Sequence, residues 1–220
     1  MITRTIAAQT HGRYLIDVPA GPGPFPLLIG FHGYGEGAGA MMEELLRIRG
    51  ERAWLAASVQ ALNRFYNRSS DSIVASWMTR EDRELAIADN LAYVTAVVAD
   101  VRANQPADDR LVYVGFSQGS AMAYRAAAFG PAADGLIVLA GDVPPDVAPL
   151  ARKLPPILMG RGATDHWYTE EKAIADQDVL KRSNATFESV VFDAGHVWDG
   201  TFIARASAWL EALWDERHPR

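Results

Sequence analysis

Gly115-Phe116-Ser117-Gln118-Gly119 lies between the apolar run Leu111-Val112-Tyr113-Val114 and the alanine-rich stretch from Ser120 to Phe129. This is a G-x-S-x-G spacing placed between an expected strand and an expected helix. Glycines two before and two after Ser117 carry no Cβ, so strand and helix can pass close together while the serine adopts a strained turn. Such a turn pushes the hydroxyl to its tip and aims the Gln118 N–H at the point where an oxyanion would form. The chemistry it serves is nucleophilic acyl transfer. The competing reading is a glycine-softened turn with an incidental serine.

A serine hydroxyl needs a base to take its proton and a third group to orient that base. In a strand–turn–helix nucleophile of this kind the partners follow in the order serine, acid, histidine. Asp165 follows the expected strand Ile157–Gly160, and His196 follows the expected strand Phe187–Phe192. Both sit just past the carboxyl end of a strand, where open α/β sheets collect reactive groups. Of the five histidines, His196 is the expected base, since an imidazole titrates near ~6.5 and can take and return a proton around neutrality. Asp142, after the strand Leu136–Ala140, competes with Asp165 as the acid and is otherwise a loop-cap or site-wall residue. Asp193 is too close to His196 along the chain to orient it. His11 and His218, near the termini, are expected in solvent, and His166 is expected to hold the loop of the acid.

A tetrahedral intermediate needs two N–H donors. Gln118 supplies one. The glycine-rich stretch Phe31-His32-Gly33-Tyr34-Gly35-Glu36-Gly37 follows an early strand and offers the Tyr34 N–H as the other, with His32 fixing the loop. The stretch lacks the G-x-x-x-x-G-K-[ST] and G-x-G-x-x-G spacings that cradle phosphate, which disfavours a flavodoxin-like nucleotide binder.

The elements that must hold these residues alternate along the chain. Expected strands are 14–18, 27–31, 54–59, 111–114, 136–140, 157–160 and 187–192; expected helices are 41–49, 80–103, 118–129, 169–182 and 202–217. The later strands lack polar alternation, as when helices cover both sheet faces. The pattern predicts an α/β fold, a mainly parallel twisted sheet in one domain spanning 1–220, with no separate lid domain. Thr169 and Thr79 are expected to cap the helices that follow them. The segment from Gln60 to Trp77 is expected as a long mixed loop lining the site. Trp77 and Trp167, set among polar residues, are the expected substrate-binding side chains, while Arg80 and Arg161 are expected in solvated or salt-bridge roles.

Bulk composition narrows the classes. The chain has 220 residues, 49% hydrophobic and 22% charged, enough for a full core without disulfides or metal. A net charge of −6 with scattered basic residues disfavours nucleic acid and anionic membrane surfaces as partners. With no cysteine, thiol catalysis is excluded and a reducing compartment is favoured. No signal peptide or membrane span is evident, which makes the cytoplasm the expected location.

At these residues the chain resembles the α/β-hydrolase superfamily, and within it the phospholipase/carboxylesterase group that includes acyl-protein thioesterases. Gly115-Phe116-Ser117-Gln118-Gly119 is characteristic of that group, His32-Gly33-Tyr34-Gly35 matches its oxyanion loop, and the likeness runs from about Leu27 to Leu210. The resemblance implies Ser117 as nucleophile, Asp165 as acid, His196 as base, Tyr34 and Gln118 as oxyanion donors, and neither metal nor organic cofactor. It implies a small-molecule ester or thioester substrate in a group with both monomers and dimers. Where relatives often have D-x-x-V-P, this chain has Asp165-His166-Trp167-Tyr168-Thr169, which leaves the acid in place and alters the pocket. The expected activity is serine carboxylesterase hydrolysis of short acyl esters through an acyl-serine. The alternatives are a thioesterase or lysophospholipase with the same triad, or a non-catalytic binding module on the hydrolase fold.

Overall fold

The computed structural model describes residues 1–215. The expected helix end at Arg217, and His218, lie outside the described residues. Seven strands form one sheet in the order β1 (Arg13–Asp17), β3 (Leu55–Gln60), β2 (Phe25–Phe31), β6 (Ala107–Phe116), β7 (Gly135–Leu139), β8 (Ile157–Gly162) and β9 (Phe187–Phe192). Only β1 runs antiparallel, on β3; every other pair is parallel. The central strands are buried along their length, as the continuous apolar runs Leu27-Leu28-Ile29 and Leu136-Ile137-Val138 require when both sheet faces are covered.

Five helices supply that cover. α1 (Ala38–Arg49) packs against α5 (Gly200–Asp215), and α2 (Arg83–Asn104) packs against α3 (Gln118–Phe129). α4 (Glu170–Arg182) and α3 both contact a 3-10 helix at Ala148–Lys153. No described helix is long and apolar enough to cross a membrane.

Three local expectations change. The segment after Gln60 is not a loop but a hairpin, β4 (Asn63–Asn67) with β5 (Ser72–Ser76), outside the main sheet. α2 starts at Arg83 because Asp82 takes a left-handed conformation (φ 48°) and the Thr79 hydroxyl bonds the Glu81 carbonyl instead of capping a helix. Thr169 does occupy the N-cap of α4, but its hydroxyl makes no capping bond.

Candidate active site

Ser117 stands between β6 and α3 with φ 53° and ψ −119°, a region that costs a non-glycine residue about 1–3 kcal/mol. The surrounding glycines show why side chains are excluded on either side of the turn. A Cβ on Gly115 would lie 2.5 Å from the Gly119 carbonyl oxygen, and one on Gly119 would lie 2.0 Å from that of Phe31. Hydrogen bonds hold the strained peptide: Ser117 N–H donates to Leu139 O (2.8 Å), and the Ser120 hydroxyl donates to Leu139 O (2.9 Å).

His196 reaches this serine from the loop after β9. Its Nε2 lies 2.8 Å from Ser117 Oγ, and its Nδ1 lies 2.8 Å from Asp165 Oδ2. The Asp165 side chain, on the loop after β8, is fully buried. Burial opposes its ionisation, but the N–H groups of Tyr168 and Trp167 and the imidazole of His196 outweigh that, holding the carboxyl below the ordinary range. Those two N–H groups donate to Oδ1 at 2.9 and 2.8 Å, leaving Oδ2 for the imidazole. In the neutral tautomer that donates Nδ1–H to Oδ2, Nε2 is the acceptor that faces the serine hydroxyl. Phe116, with its ring centroid 5.0 Å from that of His196 and 5.7 Å from that of Trp198, backs the imidazole.

The loop after β2 presents the Tyr34 N–H by elimination. Gly33 N–H donates to Glu36 Oε2 (2.7 Å), Gly35 N–H to Ala75 O (3.0 Å) and Glu36 N–H to Gly33 O (3.3 Å). Among the described residues the Tyr34 N–H has no such partner. Gln118, the first residue of α3, has no carbonyl four residues back within the helix to receive its N–H, so that donor is also open. His32 fixes the loop, as expected: buried, with its pKa lowered by burial, it donates from Nδ1 to Gly33 O (2.7 Å) and accepts at Nε2 from Ala61 N–H (3.1 Å).

A cavity of about 330 Å³ opens beside Ser117 and His196, walled by Met78, Arg83, Asp142, Pro145, Trp167 and Lys172. Trp167 is 76% exposed and lines it as expected. Trp77 does not. It is fully buried, its indole N–H turned inward to the His32 carbonyl (2.8 Å) and its ring edge-on against Phe31. Asp142 stands on the wall 3.8 Å from Lys172, and the Nδ1 partner of the imidazole is Asp165. Arg161 is buried and donates to the Gly162 and Ala163 carbonyls, bracing the strand end before Asp165.

Three participants were not foreseen. Glu36 accepts from Gly33 N–H, and burial raises its pKa against the pull of that bond and of His196. The glycine-rich string gave no hint that this carboxylate folds back on its own loop. Arg83, the first residue of α2, lines the cavity. Arg125, buried on α3, makes a two-point ion pair with Asp146 (2.8 Å each) and so ties the segment after β7 to the helix that follows Ser117.

A mainly parallel sheet covered on both faces, with a strained serine turn at the carboxyl ends of its strands, defines the α/β-hydrolase class. Within that class the chain belongs to the dienelactone hydrolase family, whose model matches residues 56–208, well over half of the sequence. No curated protein sequence matches it. Solved structures agree on the fold. Esterase PE8 aligns at 21% identity with a TM-score of 0.74, over 92% of this chain and 99% of that one. Acyl-protein thioesterase 2 of Zea mays aligns at 20% identity and a TM-score of 0.67, over 92% and 99%. The carboxylesterase of Bacillus cereus aligns at 16% identity and a TM-score of 0.69, over 92% and 94%.

Proposed function

We propose that this protein is a serine carboxylesterase that hydrolyses small, short-acyl esters through an acyl-serine intermediate. The observation that carries the proposal is the unbroken chain from Ser117 Oγ to His196 to Asp165, both links at 2.8 Å. Ser117 attacks the carbonyl carbon as His196 Nε2 takes its proton, and the tetrahedral oxygen is received by the N–H groups of Tyr34 and Gln118. The imidazolium, its charge balanced by Asp165, returns the proton to the leaving alcohol. Water then attacks the acyl-serine with His196 again as base, releasing the carboxylic acid.

The size of the cavity supports a small substrate, and Trp167 at its rim offers an apolar face. The matched family is named for dienelactones, cyclic esters that the same acyl transfer would open, so lactones belong among the substrates to try. Asp165 serves as the acid and Asp142 as a wall residue. Ser117→Ala is the test: it removes turnover of p-nitrophenyl acetate while circular dichroism and melting temperature stay those of the wild type. Turnover retained by that variant refutes the assignment. A parallel series of esters, thioesters and lysolipids ranks the leaving groups.

A further inference from the structure

We infer that Trp77, which touches no part of the cavity, is a positioning residue that sets the distance between the two N–H donors of the oxyanion site. The inference rests on the esterase reading above and concerns how that reaction reaches its rate. The donors belong to distant stretches of chain, Tyr34 on the loop after β2 and Gln118 at the start of α3. Each must point at one oxygen, and a misplacement of a fraction of an ångström weakens both bonds.

Trp77 is joined to both stretches. Its indole Nε1–H donates to His32 O (2.8 Å), two residues before Tyr34. Its main-chain N–H donates to Gln118 Oε1 (2.9 Å), on the residue that carries the second donor. The rest of the Gln118 amide faces the same segment: Nε2 donates to Met78 O (2.9 Å), and Oε1 lies 3.2 Å from the Ser76 hydroxyl, which also has Met78 O within reach (2.9 Å). Asn90 of α2 holds the segment from behind, donating Nδ2 to Trp77 O (2.7 Å). The indole itself cannot swing, being fully buried with its ring centroid 5.4 Å from Phe31 and 5.3 Å from His32.

His32 completes the link on the Tyr34 side. Its ring is pinned at both nitrogens by backbone groups, and the His32–Gly33 peptide is held at both ends, Gly33 N–H by Glu36 Oε2 (2.7 Å) and His32 O by the indole N–H. Without the indole N–H that buried carbonyl loses its partner, and the peptide, held then through Gly33 N–H and Glu36 alone, tilts. Tyr34 N–H moves with it. The Trp77 side chain itself forms no part of the cavity wall, so the loss is expected on the transition state, where the oxygen carries charge, more than on ground-state binding.

Two variants test this. Trp77→Phe removes the N–H with some volume. Replacement of Trp77 by benzothienylalanine, in which sulfur takes the place of the indole N–H, removes the donor with little change of shape. In both, kcat for p-nitrophenyl acetate is expected to fall about 10- to 100-fold with KM within threefold, short of the ~10²–10³ lost when an oxyanion donor is deleted outright. A trifluoromethyl ketone, which Ser117 converts to an anionic hemiketal, is expected to lose affinity by the same factor, while a product carboxylate binds unchanged. Wild-type kcat and ketone affinity in the benzothienylalanine protein overturn the inference. So does a loss of activity that only tracks the unfolded fraction in a melt. If Ser117→Ala keeps its turnover, the esterase reading itself fails; if that variant is inactive while both Trp77 variants match the wild type, only the positioning role fails.

Discussion

Two aromatic-rich segments flank Ser117, and they solve opposite problems. The segment after Gln60 folds as the β4–β5 hairpin and turns the tryptophan that follows it, Trp77, into the core. The acid loop, residues 163–169, stays irregular and turns Trp167 out into the cavity. The hairpin meets its hydrogen-bonding needs by pairing with itself and, through Ala75, with the Gly35–Glu36 backbone (2.8 and 3.0 Å). The acid loop pairs at its start, Ala163 N–H with Phe192 O (2.7 Å) and Thr164 N–H with Ala194 O (3.0 Å), and then turns around the Asp165 carboxylate. A tryptophan's direction is therefore set by what its neighbouring backbone needs, not by the polarity of its sequence neighbours.

If the acid loop exists to orient an imidazole, its carboxylate is the point of largest effect. In Asp165→Asn the amide oxygen can still accept from Trp167 and Tyr168, but the –NH₂ faces His196 Nδ1 and forces the proton onto Nε2. The base is then occupied, and kcat is expected to fall ~10³–10⁴-fold with little loss of stability. Steady-state kinetics and a thermal melt check both halves.

On the hairpin side, Gln118→Ala keeps the backbone N–H but strands the Trp77 N–H, while the Met78 carbonyl keeps the Ser76 hydroxyl (2.9 Å). A loss of about 1–3 kcal/mol in denaturant unfolding is expected, accompanied by a lower kcat. Unchanged stability would show that the amide merely sits beside that segment.

Asp176 sharpens the comparison through pH. It accepts from the Tyr168 hydroxyl (2.8 Å) and from Val143 N–H (3.1 Å), tying the acid loop to the cavity wall, and burial pushes its pKa up to about 6. A carboxyl held above its unfolded value binds an extra proton between about pH 4 and 6, so stability falls as pH rises through that window. Asp176→Asn is expected to flatten that fall by about 1 kcal/mol, the full shift being reduced by partial solvent access. Melting temperatures of both proteins from pH 4 to 7 read the difference.

The smallest effect belongs to the exposed tryptophan. Trp167→Ala should leave stability within about 0.5 kcal/mol, as for an exposed side chain away from caps and ion pairs. Its signature is a KM raised a few-fold at constant kcat, the reverse of the split expected at Trp77.

Ser117, Asp165 and His196 were legible because their signals are local: glycines bracket the serine, and each partner follows an apolar strand by a few residues. The main sheet was legible for the same reason, and β9 and α3 match their expected bounds. β4 was not, since Asn63-Arg64-Phe65-Tyr66-Asn67 has no apolar run and is held by cross-strand pairing with β5. The burial of Trp77 was hidden because the carbonyl that receives its indole lies 45 residues away. The start of α2 was misplaced because Thr79 looks like a cap by type, whereas its hydroxyl is used on the Glu81 carbonyl.

The most direct measurement is site-mapped reaction with a fluorophosphonate. Peptide mass mapping of the labelled wild-type protein is expected to place a single phosphonyl adduct on Ser117, absent from Ser117→Ala and formed far more slowly in His196→Ala. An adduct on another residue, or none on folded wild-type protein, would contradict Ser117 as the nucleophile.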